Sequence, residues 1–308
     1  MKLVYCLTST PKDLYYEQAL VSIHTARFHN PESEIILIVD SDTNASLIGN
    51  RSGLDSYISE KIVIDVPEKY TSNVAKSRYL KLHVRSFVSG TLLFIDTDTI
   101  IVSPIGEPAD FGSEMGIVLD RHQKKRKLAD KTLTVFKLLG YSCPSWIDYH
   151  NSGVIYMKDS PQTREFYEQW FRTWEKCFEN GYFVDQPSLA DTEKKLGQIK
   201  TLPGEWNCQT FVPESLPYFS NAKICHFYGG TGENNVDEWY TRLLKRVKDC
   251  GTIVKTDADF VQDLEDNLLQ NELYRIGHTA IYYAVKSIRK KHGGLFRSLN
   301  NFLNVFRK

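Results

Sequence analysis

The feature that most restricts this chain is the segment Thr91-Leu-Leu-Phe-Ile-Asp96-Thr97-Asp98-Thr99-Ile-Ile-Val102, in which an apolar run leads directly into two carboxylates and a second apolar run follows at once. Read as one β-strand, it points residues i and i+2 to the same face, so Asp96 and Asp98 converge. Two carboxylates that close repel strongly unless a proton or a cation intervenes, and a hard divalent cation is the natural neutraliser. Such a cation keeps positions open for phosphate oxygens. A lone D-x-D is a weak signal, and Asp40-Ser41-Asp42 also follows an apolar run. That pair continues into polar Thr43-Asn44, whereas Asp96-Thr97-Asp98 stays inside β-forming sequence. The metal is therefore expected on Asp96 and Asp98.

Around this segment, short apolar runs alternate with helical patterns. Strands are expected at Leu3–Ser9, Glu34–Asp40, Lys61–Val66, Thr91–Val102, Met115–Asp120 and Ser152–Met157, each nearly continuous in Ile, Val, Leu and Phe. Continuous runs suit strands buried on both faces. Helices are expected through Tyr16, Ala19, Leu20, Ile23 and Ala26, from Asn73 to Phe87, and after the Ser160-Pro161 start signal. The alternation implies an α/β layered sheet. One domain over residues 1–275 is expected, followed by an appended segment, 276–308. From Thr279 onward that segment is basic and aromatic, with no acidic residue. Basic charge mixed with aromatics on a helical period suits an anionic membrane surface; a helix docked on its own domain is the alternative.

Composition narrows the function classes. The 308 residues carry 38 Lys+Arg against 38 Asp+Glu, a balance that argues against a dedicated nucleic-acid binder. The 6 cysteines form no C-x-x-C pair, so a zinc ribbon has no support and free thiols in a reducing cytoplasm are expected. No secretory signal and no apolar run of spanning length is seen. Cys6–Lys12 contains no glycine, which speaks against a Rossmann dehydrogenase or a nucleotidyltransferase.

Four separated segments, the carboxylate pair among them, then fall in order: Lys76-Ser77-Arg78-Tyr79-Leu80-Lys81-Leu82, Asp96-Thr97-Asp98, His150-Asn151-Ser152-Gly153-Val154 and His226-Phe227-Tyr228-Gly229. Asp185-Gln186 and Leu202-Pro203 with Trp206-Asn207 fall between the last two. In order and spacing these resemble the metal-dependent glycosyltransferases of the GT-A fold, in particular glycosyltransferase family 8, which includes glycogenin and bacterial lipopolysaccharide galactosyl- and glucosyltransferases. The resemblance covers about Met1 to Gly230. It implies an α/β nucleotide-diphospho-sugar transferase fold, with a mixed, mostly parallel central sheet flanked by helices.

The resemblance further implies that Asp96, Asp98 and His226 ligate Mn²⁺ or Mg²⁺, an imidazole tilting the preference toward Mn²⁺. Thr8 and Ser9 fall where the nucleotide base and ribose are held. Lys76 and Arg78 are candidates for the diphosphate or donor sugar, against a solvated helix face. Thr97 and Gly229 belong to the same donor site. Asn151, Asp185 and Gln186 are the candidate catalytic groups around the sugar, against a turn asparagine and an N-capping aspartate.

The implied activity is transfer of a hexose from a nucleotide-diphosphate sugar, UDP foremost, to a saccharide or lipid-linked glycan, with retention of configuration. The implied place is cytoplasmic, peripheral on the inner face of a membrane. One departure is plain: Gly230-Thr-Gly-Glu-Asn-Asn235 lacks the lysine with which the family binds the departing diphosphate. Either another cation substitutes, with the run Arg121–Lys127 as the candidate against a solvated or lipid-facing loop, or the leaving group depends more on the metal. The same absence motivates the rival reading, a degenerate transferase that holds a nucleotide sugar without turning it over.

Overall fold

The computed structural model of the protein describes residues 1–108, 112–140, 146–210, 212–228, 239–253 and 258–268. Gly229 and segment 276–308 lie outside the described residues.

The chain opens with β1 (Lys2–Leu7), α1 (Tyr15–His29), β2 (Ile35–Asp40), α2 (Ser41–Ser46), β3 (Glu60–Ile64), α3 (Asn73–Leu82) and α4 (Val84–Phe87). It continues through β4 (Leu92–Ile95), β5 (Thr99–Ile101), β6 (Met115–Leu119), β7 (Arg126–Lys127), α5 (Asp130–Leu138), β8 (Trp146–Ile147) and β9 (His150–Met157). Then come α6 (Pro161–Glu179), α7 (Gln186–Leu196), β10 (Ile199–Thr201), β11 (Cys208–Gln209), α8 (Leu216–Phe219), β12 (Ile224–His226) and α9 (Trp239–Cys250). A further helix spans residues 258–268.

Seven strands form the central sheet in the order β10-β6-β9-β4-β1-β2-β3. All run parallel except β9, which is antiparallel to β4 and β6. The reason is visible in β1: Leu3, Tyr5 and Leu7 pack into one apolar cluster, and Val4 and Cys6 into the other. β2 divides in the same way, Ile35, Leu37 and Val39 against Ile36 and Ile38. A sheet covered on both faces has no polar side, hence the unbroken apolar runs. α1, α9 and helix 258–268 cover the first face, while α3, α4, α6 and α7 cover the second.

Two expected elements come out differently. The helix from Asn73 to Phe87 divides at His83 into α3 and α4. More consequentially, Thr91–Val102 is not one strand. β4 ends at Ile95, and β5 joins a separate small sheet of order β11-β12-β5. Asp96, Thr97 and Asp98 bridge the gap, so the carboxylates meet at a sheet break and not through strand alternation. A strand held in a doubly covered sheet would bury both charges, whereas the break leaves the Asp96 and Asp98 side chains 29% and 24% exposed.

Ser160 caps α6: its hydroxyl accepts from Thr163 N, the Thr163 hydroxyl accepts from Ser160 N, and Pro161 takes the first position. From α6, buried Trp170 reaches α7, its Nε1 donating to Asp185 O (3.1 Å) and Ser188 Oγ (3.2 Å). Trp170→Phe keeps an aromatic ring but leaves a small cavity and removes that donor. It is expected to lower the unfolding free energy in urea by about 2 kcal/mol.

Candidate active site

The break between β4 and β5 is pinned from three sides. Asp96 N donates to Gly153 O of β9 (2.7 Å), Phe227 N donates to Asp98 O (2.8 Å), and Thr99 Oγ1 donates to Asp96 O (3.0 Å). β5 runs antiparallel to β12 with Thr99 opposite His226, so sheet register carries the imidazole to the carboxylates. His226 Nε2 lies 3.2 Å from Asp98 Oδ1. One ligand atom each from Asp96, Asp98 and His226 falls within 4.8 Å of the others, spacing at which the three can hold a metal ion.

The donor set fits such an ion down to the protonation of the ring. Gly153 N, an unambiguous donor, bonds Asn151 Oδ1 (3.0 Å). The Asn207 atom on that same oxygen (3.0 Å) is therefore its amide nitrogen, which leaves Asn207 Oδ1 to face His226 Nδ1 (2.9 Å). His226 must then donate through Nδ1, and Nε2 is the ring nitrogen turned toward the carboxylates. Gly153 is also the only residue type that fits: a Cβ there would stand 2.2 Å from His226 Cε1.

Charge balances around the same point. Lys81 is 2% exposed; its Nζ lies 3.2 Å from Asp96 Oδ1, 3.4 Å from Asp185 Oδ2 and 3.2 Å from Ser152 Oγ. Arg78 Nε lies 2.8 Å from Asp185 Oδ1, and Ser152 Oγ donates to Asp185 Oδ2 (2.8 Å). Burial works against a charged Asp185, yet Lys81, Arg78 and Ser152 prevail and hold its carboxyl far below the usual range. Burial pushes Asp96 up, against the pull of Lys81. For Asp98 the burial penalty is outweighed by His226, and its carboxyl sits below the ordinary value.

The structure distributes the other candidate residues as follows. Thr8, Arg78, Asp96, Thr97 and Asp98 line one cleft of about 260 Å³ at the carboxyl ends of β1 and β4, with Tyr15 and Val74 in its wall. Thr8 Oγ1 donates to Asn73 O (3.0 Å). The Ser9 hydroxyl is spent on Asp13 (2.7 Å) and Arg51 (2.8 Å), and Ser9 does not line that cleft. Lys76 pairs with Asp42 and lies 3.7 Å from Asp40. Asp185 stands at the N-cap of α7 without capping it, because both carboxylate oxygens are engaged elsewhere. Gln186 Nε2 donates to His150 O (3.1 Å). Asn151 is a buried link, its Nδ2 donating to Asp120 Oδ1 (3.1 Å).

Sequence reasoning quoted Lys81 and Asn207 within the matching segments and Asp120 as a strand end, and gave none of the three a role in the site. Lys81 lies one turn from Arg78 on α3, Asp120 ends the apolar run Met115–Leu119 much as Asp96 ends its own, and Asn207 follows the Leu-Pro motif.

No family model matches the chain, and no curated protein matches it in sequence. Solved structures do. The apo structure of the bifunctional glycosyltransferase WbbM is 15% identical with a TM-score of 0.53, over 80% of this chain and 51% of WbbM. The chain thus spans about half the length of that protein. Apo mouse xyloside xylosyltransferase 1 is 15% identical over 75% of this chain and 98% of its own, with a TM-score of 0.50. The galactosyltransferase LgtC, solved with donor and acceptor sugar analogues, is 14% identical over 85% of this chain and 100% of its own, with a TM-score of 0.53. The chain has the GT-A glycosyltransferase fold.

Two tests follow from this geometry. Gly153→Ala is expected to displace the His226 ring, costing about 1–3 kcal/mol of stability and weakening Mn²⁺ binding more than ~10-fold in a titration followed by electron paramagnetic resonance. The second concerns His122 and His150, both lowered by burial to about 4. An unfolded chain binds these protons from about pH 6.5, so the histidines' contribution is whole above that pH and is lost as pH falls toward 4. Urea titrations are expected to show a loss of about 1–2 kcal/mol per pH unit in that window, the discount reflecting partial exposure of His122. His150→Gln should remove about half of the slope.

Proposed function

We propose that the chain is a glycosyltransferase that moves a hexose from a nucleotide-diphosphate sugar, UDP-linked, to a hydroxyl of a saccharide or lipid-linked glycan. The observation that carries this reading is the convergence of Asp96, Asp98 and His226 beside the cleft at the carboxyl edge of the sheet. Ligands bind at that edge in open α/β sheets.

Asp96, Asp98 and His226 would hold Mn²⁺ or Mg²⁺, which when bound supplies Lewis-acid stabilisation of a departing diphosphate. The chain's own groups prepare for that charge. Lys81 and Arg78 sit against two of the three carboxylates, Asp96 and Asp185, and no lysine or arginine among the described residues pairs with Asp98. Arg78 also lines the cleft and is suited to phosphate oxygens. Tyr15, 41% exposed at the cleft, offers a ring face to a base, with Thr8 alongside. Asp185 stays ionised on the sugar side, where its charge would oppose an oxocarbenium-like centre. Gln186 Oε1, which has no partner among the described residues, can accept from a sugar hydroxyl. Asn151 acts through Asn207 to orient His226. We place Thr97 and Gly229 at the diphosphate, and Ser9 and Lys76 at the outer end of the donor site. Retention of configuration follows from the resemblance to family 8.

We further assign residues 1–275 to the transferase domain and 276–308 to a basic segment for an anionic membrane surface. Among the described residues no helix is long and apolar enough to cross a membrane.

Asp98→Ala is expected to reduce Mn²⁺-dependent hydrolysis of a UDP-hexose by at least ~1,000-fold, with the melting temperature and circular dichroism retained. Undiminished turnover of the wild-type protein in excess chelator would overturn the proposal.

A further inference from the structure

β6 ends at Leu119 and the chain enters the loop Asp120–Lys127, none of whose residues lines the donor cleft. Five of its residues are cationic: Arg121, Lys124, Lys125, Arg126 and Lys127. Three non-glycine residues, Arg121, His122 and Lys125, adopt left-handed backbone angles (φ +55°, +55° and +49°). Such conformations persist where the surroundings over-determine them. They are over-determined here. Arg121 N donates to Gln209 Oε1 (2.6 Å), Gln209 N donates to His122 Nε2 (3.2 Å), and the His122 ring lies 4.8 Å from that of Tyr218. Lys125 N donates to Asp148 Oδ1 (2.7 Å), and β7 pairs with β8.

The loop is tied to the site it borders. Asp120 accepts from Asn151 Nδ2 (3.1 Å), Asn151 in turn holds Asn207 against His226, and the Tyr228 ring lies 5.2 Å from that of His226. Its charge, however, is not neutralised there. Asp120 is taken by Arg126, Asp148 spends an oxygen on a backbone donor, and Glu214 accepts from Gln123 (2.6 Å). Arg121, Lys124, Lys125 and Lys127 are exposed, and no ion pair among the described residues engages them. None of the exposed large apolar side chains belongs to this loop, which argues against an interfacial lipid anchor.

Resting on the transferase reading above, we propose that the acceptor is an anionic saccharide, bearing phosphate or carboxylate groups that the Arg121–Lys127 loop receives. A rigid rim of uncompensated cations at the mouth of a sugar site selects for negative charge on the incoming partner. It leaves the donor cleft, which none of these cations lines, to Arg78 and a bound metal ion.

The test measures binding of lactose 1-phosphate, lactose and inorganic phosphate to the full chain saturated with Mn²⁺ and UDP. It compares the wild type with the triple variant Lys124→Gln/Lys125→Gln/Lys127→Gln, whose fold is checked by its melting temperature. Lactose 1-phosphate is expected to bind the wild type about tenfold more tightly than either lactose or phosphate. That preference should shrink at least ~fivefold in the variant and on raising the salt concentration. Equal binding of lactose and its phosphate would overturn the inference, and so would inorganic phosphate matching lactose 1-phosphate. It also falls if the preference survives in the variant. A wild type that binds Mn²⁺-UDP yet shows no preference sinks this inference alone; one that binds no UDP sinks the transferase reading beneath it.

Discussion

Three carboxylates gathered into one partly buried cluster set the terms for everything around them. Asp96, Asp98 and Asp185 approach the same few side chains, and two unit charges at 4 Å repel by about 4 kcal/mol even at an effective dielectric constant near 20. The molecule answers with a lysine that is almost wholly buried. Lys81 bridges Asp96 and Asp185, and Arg78 takes the other oxygen of Asp185. A lysine in that position is tolerable only because it is paired. Its ammonium also lies 5.0 Å from the centre of the Phe94 ring. Asp98 lies against His226 and not against either cation, and the trio Asp96, Asp98 and His226 has the spacing to hold a metal ion.

The two D-x-D sequences show how context assigns chemistry. At Asp40-Ser41-Asp42 the strand ends and a helix begins, so Asp40 caps α2 by accepting from Asp42 N and Thr43 N, and Lys76 closes over the pair. At Asp96-Thr97-Asp98 the chain passes from one sheet into another. The Asp96 amide is spent on β9, Asp98 O accepts from Phe227 N, and the carboxylates turn to Lys81 and His226. The tripeptide pattern is shared; the fate of the following residues differs.

Around His226, orientation matters as much as charge. The Gly153 amide fixes the Asn151 carboxamide, Asn151 fixes Asn207, and Asn207 fixes which ring nitrogen carries the proton. Three side chains from three elements thus depend on one backbone donor in β9, and the absence of a side chain at Gly153 makes room for the ring itself.

The layered sheet was legible because burial on both faces writes a continuous apolar run into each strand, and that property is local to the run. The capping of α6 at Ser160 was legible for the same reason, all its partners lying within a few residues. Asp96, Asp98 and His226 could be picked out through the order of their motifs. What no local pattern contains is the break after Ile95, since it follows from pairing with β9 on one side and β12 on the other. The same holds for Lys81 against Asp185, Asn207 against Asn151, and the loop at Arg121 against Gln209. Each joins polar groups distant in sequence, and which of them meet is decided by strand register, a long-range quantity. The amino-acid pattern alone determined the layers and the acidic pair. Tertiary structure decided how that pair is compensated and oriented, because hydrogen bonds and ion pairs depend on ångström-scale distances that come into being when the two sheets are brought together.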